Sequence, residues 1–416
     1  MRGGNKIKAS ALQFAILVSV IVALLLSSFL LFTYTYSNFS LRTDKVLHNI
    51  EASQKGIDYL VNSDDHLTDS LEIAIEDVPV VLKNNFWGGF QLVHSRGGAG
   101  STSFEKVALL GTAGPGIGSL SIFLENNQLP LVLVGDTRIE GDIYTPENII
   151  KPGSIAGHYY AGDKLVYGRR YHSAQNLPEL DARWRFYAQN MLNFIPDGGE
   201  AVIRLENSTN SFFGNRQVIY QVDKIFLNES LSGNIVVVSR KEIEVSPFAK
   251  LDQVLLVAPK VIVRTGFEGN AHVISEEAVI EDKVRFHYPS SIVVFAKEGE
   301  NRKPENSYKP TIQIGEHTLF EGNILYLNAS EQEGRKNDLL LAKNSFIEGN
   351  VYCEGYTELE GTVKGSLYTK YFVANHRGSL YINHIYDGKV LTGNVKPEMG
   401  GLVLEGTEKK VAAWLY

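Results

Sequence analysis

Between Lys8 and Arg42 the chain carries no charged residue, and the centre of that stretch, Phe14-Ala-Ile-Leu-Val-Ser-Val-Ile-Val-Ala-Leu-Leu-Leu-Ser-Ser-Phe-Leu-Leu-Phe32, is almost wholly apolar. In a bilayer core every backbone amide must be satisfied within its own segment, which a helix of about 20 apolar residues achieves. Residues 10–36 are therefore predicted to cross a membrane, with the lipid bilayer as their partner. The flank before the run holds Arg2, Lys6 and Lys8 and no acid, whereas the far flank mixes Arg42 and Lys45 with Asp44 and Glu51. By the positive-inside rule, residues 1–9 form a cytoplasmic leader and everything after about Tyr36 is exported. That makes a single-pass protein of the plasma (inner) membrane, with Tyr34 and Tyr36 at the interface. The rival is a cleaved signal peptide, which needs an apolar region of about 7–15 residues and a small-x-small site. This run is longer, and no such site follows Phe32.

From Asn5 to Lys55 there is neither Gly nor Pro, so nothing in the backbone obliges the helix to stop at the membrane surface. Phe39, Val46, Ile50, Ile57 and Leu60 form one apolar stripe on its membrane-proximal continuation, residues 37–62. Residues 10–62 thus read as one rod of roughly 80 Å at about 1.5 Å per residue. A basic leader, a long uncharged run, Ala9-Ser10-Ala11-Leu12 at its start and Glu51-Ala52-Ser53-Gln54-Lys55-Gly56 at its end resemble the N-terminal helix of type IV pilin-like proteins, the minor pilins and pseudopilins. The resemblance extends from Met1 to about Leu60 and implies a helix laid on an antiparallel sheet and a filament-subunit or assembly role. A plain signal anchor is the other reading of the same residues.

Over residues 63–130 the pattern shifts to short strands, predicted to form a small antiparallel β region. Phe90–His94 and Phe104–Leu110 flank Arg96-Gly-Gly-Ala-Gly-Ser101, and Leu120–Leu124 and Leu129–Val134 flank Asn126-Asn127. Each pair reads as a hairpin. Gly114-Pro-Gly116-Ile-Gly118 reads as a turn; a phosphate loop would open a helix and carry a lysine, and here a strand-like run follows.

The rest, residues 131–416, is dominated by a repeat. Apolar–Glu–Gly–small/polar–apolar occurs at Ile139–Ile143, Phe267–Ala271, Phe320–Ile324, Ile347–Val351 and Leu359–Val363, with relatives at Gly365–Tyr368 and Gly378–Tyr381. A second pattern places Ser239, Ala258 and Ser275 after aliphatic pairs, at a short and nearly constant spacing. Units this short cannot hold a helical hairpin but fit one coil of a parallel β-helix. The fold class expected is therefore mainly β: one transmembrane, extended α-helix, a small antiparallel region, then a solenoid. The coils resemble those of bactofilin-like polymer-forming proteins, which implies self-association; Gly-rich strands of a β-sandwich are the alternative. About residues 176–193 a helical insertion is predicted, capped at Asn176 and presenting Leu180, Trp184, Tyr187, Ala188, Met191 and Leu192. Glu298–Tyr308 reads as a charged loop. Val411–Tyr416 reads as a final strand sealing an edge, with a docking peptide as the sharper alternative.

No constellation for chemistry stands out. The adjacent acids Asp64-Asp65, Glu276-Glu277 and Glu281-Asp282 would point to opposite faces of a strand, so they make no catalytic dyad. His158 and His172 lack metal-ligand spacing. The single cysteine, Cys353, allows neither an intramolecular disulfide nor a cysteine metal cluster. A formal charge of −7 argues against nucleic acid as partner. No catalytic, cofactor or metal residue is expected, and the chain reads as a non-enzymatic envelope scaffold or interaction protein with protein partners. A carbohydrate-binding or carbohydrate-active β-helix displayed at the envelope is the alternative.

Overall fold

The computed structural model describes residues 9–63, 70–113, 120–197, 201–296, 309–328, 337–393, 396 and 399–415. Residues 1–8 of the leader, Asp64-Asp65, the turn at Gly114–Gly118 and the charged loop at 298–308 lie outside them. The protein is mainly β, with one long N-terminal helix and one short helix.

The first helix, α1, runs without a break over Ala9–Asn62. An 18-residue apolar window within it lies fully outside the protein core, and it is long and apolar enough to cross a membrane. Its last third packs on a five-stranded antiparallel sheet built from β1 (Ser70–Ile75), β2 (Val78–Trp87), β3 (Phe90–Gly97), β4 (Phe104–Thr112) and the C-terminal strand Lys409–Leu415. The expected hairpin of Phe90–His94 with Phe104–Leu110 is present as β3 and β4. Lys409–Leu415 closes the edge of β4, as an apolar terminus sealing an open strand should.

The body is a closed, parallel strand network around one aliphatic core. Partners lie one short step apart: Val218 beside Val236, Val237 beside Leu256, Val257 beside Ile274, and Val273 beside Ile292. Ala258 stands beside Ser275 in that register. Three of the Glu-Gly pentads share one line, and that at Phe267–Ala271 is offset, with Gly269 rather than Phe267 beside Phe286. The line runs from Phe286 to Phe320, then Ile347, Val363, Val390 and Ile139. All of these are buried, and Phe267, Phe286 and Phe320 stack at 5.4 and 5.3 Å. Gly322, Gly349 and Gly365 stand beside each other. At Gly349 φ is 141°, and a Cβ would fall 1.9 Å from the Gly322 carbonyl oxygen, so the rung spacing itself demands glycine there.

Four expectations are corrected. Leu120–Leu124 and Leu131–Val134 do not form a hairpin: the first pairs in parallel with Leu367–Thr369 and the second with His384–Tyr386. The segment 120–172 therefore pairs beyond the last C-terminal strands, Ile122 beside Ile143 and Tyr144 beside Tyr171, so strand order is not chain order. The pentad at Leu359–Val363 is out of register, because Val363, not Leu359, pairs with Ile347. Gly378–Tyr381 turns an antiparallel hairpin rather than a rung. The short helix α2 spans Ala182–Leu192 and is capped by Asp181, whose carboxylate accepts the Arg183 and Trp184 amides, rather than by Asn176. Trp184, Ala188 and Met191 are buried as the spacing predicts. They cover the side of the body, in the cluster that holds Val236, Leu255, Ile274 and Leu325.

Candidate functional site

Local sequence explains why α1 sits so close to its sheet. Asn49, Ala52, Ser53, Gly56, Ile57 and Leu60 recur every three or four residues and are buried. They face Val80, Leu82, Val93, Ala108 and Leu110. Four of the six are small or polar, which brings the helix backbone near the strands. A Cβ on Gly56 would lie 2.1 Å from Ser95 Oγ, and one on Gly97 would lie 2.4 Å from the Asn49 carbonyl oxygen. Asn49 Nδ2 donates to the Thr102 carbonyl at 2.7 Å, which ties the helix to the connection between β3 and β4. The stripe begins later than spacing suggested. Ile57 and Leu60 are fully buried and Val46 and Ile50 half-buried, but Phe39 stays 68% exposed because the sheet ends below it.

The sheet is in turn locked to the body through the tip of the β2–β3 hairpin, Gly88-Gly89. The Gly89 amide donates to Ser291 Oγ at 2.8 Å, and Trp184 Nε1 donates to the Gly88 carbonyl at 2.9 Å. Trp87 Nε1 donates to the Gln253 carbonyl at 2.8 Å. Behind the tip lies His272, fully buried, 2.9 Å from Ser291 Oγ and 3.2 Å from Gln253 Oε1. Burial pushes its imidazole down to about 3, so it is neutral at any physiological pH. The Gln253 oxygen can only accept, which assigns the ring proton to Nε2 and leaves Nδ1 to accept from the Ser291 hydroxyl. The Ser291 hydroxyl thus accepts from the Gly89 amide and donates to His272 Nδ1. Further along, the Gly400 amide donates to Tyr288 Oη at 2.7 Å and Asn323 Nδ2 to the Gly401 carbonyl at 3.3 Å.

Between α1, the sheet and the body lies a groove of about 390 Å³ lined by Ile50, Gln54, Phe104, Val107, Phe213 and Trp414, among others. Lys106 crosses it, with Nζ 2.6 Å from Gln54 Oε1 and 5.4 Å from the Trp414 ring.

Several of the acids singled out in sequence form ion pairs. Glu277 meets Lys260 and Lys309, Glu281 meets Arg264, Glu321 meets Lys396 and Glu348 meets Lys364. Asp282 accepts the Glu316 amide. Arg264 and Lys224 hold the Glu244 carboxyl down to about 2. His158 lies 5.9 Å from the Tyr386 ring, and His172 sits at the end of strand Arg170–His172, exposed. Among the described residues no group of three or more His, Cys, Asp or Glu could hold a metal ion. Cys353 is buried, and burial pushes its thiol well above the usual range.

Sequence reasoning missed a column of rings. Tyr352, Tyr368, Phe123, Tyr144 and Tyr171 follow one another at 6.1, 6.2, 5.6 and 4.9 Å, with the Arg169 guanidinium 5.6 Å from the last ring. Reading residues 120–134 as a hairpin concealed it, since that put Phe123 in a different sheet from Tyr368.

No family model and no curated protein matches the sequence. Solved structures that overlap it include the following two. The competence-associated pilin ComZ of Thermus thermophilus is 10% identical, covering 84% of this chain and 86% of its own, at a TM-score of 0.23. An ice-binding protein of Shewanella frigidimarina is 12% identical, covering 68% and 97%, at a TM-score of 0.19. Scores this low bear on neither fold nor function, and the resemblance to bactofilins gains no support from these comparisons.

Proposed function

We propose that this chain is a membrane-anchored, non-enzymatic protein of the cell envelope whose body is held at a fixed distance and orientation from the bilayer by α1. One observation carries the reading: a single unbroken helix is bare and apolar over its first half and seated on a sheet over its last turns. A helix that serves only as a removable signal has no reason to run unbroken into the folded core, where Ala52, Ile57 and Leu60 are seated. The body then acts as a scaffold or interaction surface. Its closed parallel network reads as a β-helix, since Val218, Val236, Leu255 and His272 pair in succession, each with the next one short step along the chain. A pilin-like subunit or assembly factor is the finer form of this function, supported by the combination of a long helix and an antiparallel sheet.

The test is fractionation of cells expressing the full chain. It should remain in membranes washed with alkaline carbonate, with its N-terminal residues intact to at least Ala9. Release of a chain starting after Phe32 would refute the anchor. A carbohydrate-binding reading is favoured by a different observation, the ring column that ends half-buried at Tyr144 and Tyr171. Sugars stack on such rings, and a glycan array with the full chain and with Tyr171→Ala checks it.

A further inference from the structure

The body has a near end and a far end relative to α1, and a group of exposed apolar side chains lies at the near one. Contacts fix the direction. Phe213, at the first rungs, shares the groove with Ile50 of α1. Gly88-Gly89 meets His272 and Ser291 in the middle rungs, and Gly401 meets Asn323 further on. Strand β4 runs the same way, from Phe104 in the groove to Thr112 beside Gly401. The stack of rungs therefore rises alongside the sheet, and its first rungs lie on the side where α1 leaves the protein. There Ile195, Val202, Phe213, Val222, Phe226 and Phe248 are exposed, Phe226 by 63% and Phe248 by 79%. Single exposed apolar residues need no explanation, but a group at one pole marks a docking surface.

We infer that this pole is a second membrane contact: the first rungs rest on the surface of the bilayer that α1 enters. The inference rests on the anchor reading above. Lengths agree with it. The membrane span, residues 10–36, measures roughly 40 Å as a helix against a hydrocarbon core of about 30 Å. The surplus is relieved by tilting α1, which lowers one side of the body towards the lipid.

The experiment uses the full chain in nanodiscs containing brominated lipid, with an environment-sensitive fluorophore on one introduced cysteine. Cys353 is buried, so the added thiol is the one that reacts. Four positions are compared: Ser28→Cys in the anchor, Asn228→Cys and Pro247→Cys at the near pole, and Tyr159→Cys at the far end. Quenching at 228 and 247 should exceed that at 159 by at least about twofold, and should fall to the level at 159 when Phe226→Ser and Phe248→Ser are added. Quenching at 28 but none beyond the level of 159 at 228 and 247 overturns the inference and leaves the anchor standing. Absence of quenching at 28 overturns the anchor reading and this inference with it.

Discussion

Gly56 is the position at which the seat of α1 is most sensitive. Glycine in the middle of a helix is unfavourable by about 0.8–1.0 kcal/mol relative to alanine, so Gly56→Leu should improve the isolated helix. In the folded protein the new Cβ would lie 2.1 Å from Ser95 Oγ, 2.9 Å from Leu82 Cδ2 and 3.0 Å from Val80 Cγ1. The serine hydroxyl can rotate away, but both methyl groups belong to buried strand residues. Overpacking of this kind costs about 1–3 kcal/mol for the first atoms, and leucine adds three more carbons with no space to receive them. The seat itself is worth about 3–6 kcal/mol if Ile57 and Leu60 each contribute about 1.5–3. Clash and seat are thus of similar size, and the last turns of α1 should separate from the sheet. Hydrogen exchange of the full chain in detergent should show protection across residues 50–62 and 80–97 falling by at least about 30-fold, equivalent to some 2 kcal/mol. Gly393→Ala, whose Cβ would meet nothing within 4 Å, is the neutral control. If Gly56→Leu kept wild-type protection, the close helix–sheet approach would not be what fixes the anchor.

Other perturbations follow from the same packing. Gly349→Ala meets both a φ of 141° and a carbonyl 1.9 Å away, and should cost more than about 4 kcal/mol or prevent folding, read by thermal unfolding. Ser291→Ala strands the Gly89 amide and His272 Nδ1, and should destabilise by about 2–3 kcal/mol, with exchange rising first at residues 86–92. Glu358 is buried, and desolvation pushes its carboxyl up to about 7 although Asn337 Nδ2 and the Asn375 amide donate to it. Its folded value exceeds its unfolded one of 4.5, so stability is greatest below about pH 4.5, declines as pH rises to about 7 and is then flat. Glu358→Gln should abolish that decline and stabilise the protein by up to about 3 kcal/mol at pH 8, with no gain at pH 4. Its new amide can donate to Asn337 Oδ1, which has no partner. Unfolding curves at the two pH values decide it.

Much of the architecture was legible because it depends on local periodicity. The absence of Gly and Pro from Asn5 to Lys55 foretold an unbroken α1, observed over Ala9–Asn62. The even spacing of small residues foretold a column, and Ala258 does stand beside Ser275. What escaped is what no spacing encodes. The pattern of Phe39, Val46 and Ile50 is continuous, but only the extent of the sheet decides that Phe39 has no neighbour. Phe123 pairs with Tyr368 from a distant part of the chain, whereas Asn126-Asn127 nearby offers a plausible turn, so the local reading prevailed. Asp181 caps α2 in place of Asn176 because Leu177 and Leu180 are needed as buried residues before the helix begins. The tip contact of Gly88-Gly89 with Ser291 joins two regions far apart in the chain, and neither glycine announces it.

The proposed function turns on the position of α1 across a bilayer with the body on its outer side. The most direct measurement is labelling with a membrane-impermeant maleimide in spheroplasts, using the full chain with one added thiol at Asn5→Cys or Tyr159→Cys, since Cys353 is buried. Position 159 should react in intact spheroplasts and position 5 only after lysis. Equal reaction at both positions before lysis, or protection of 159 until lysis, would contradict the anchor and its orientation.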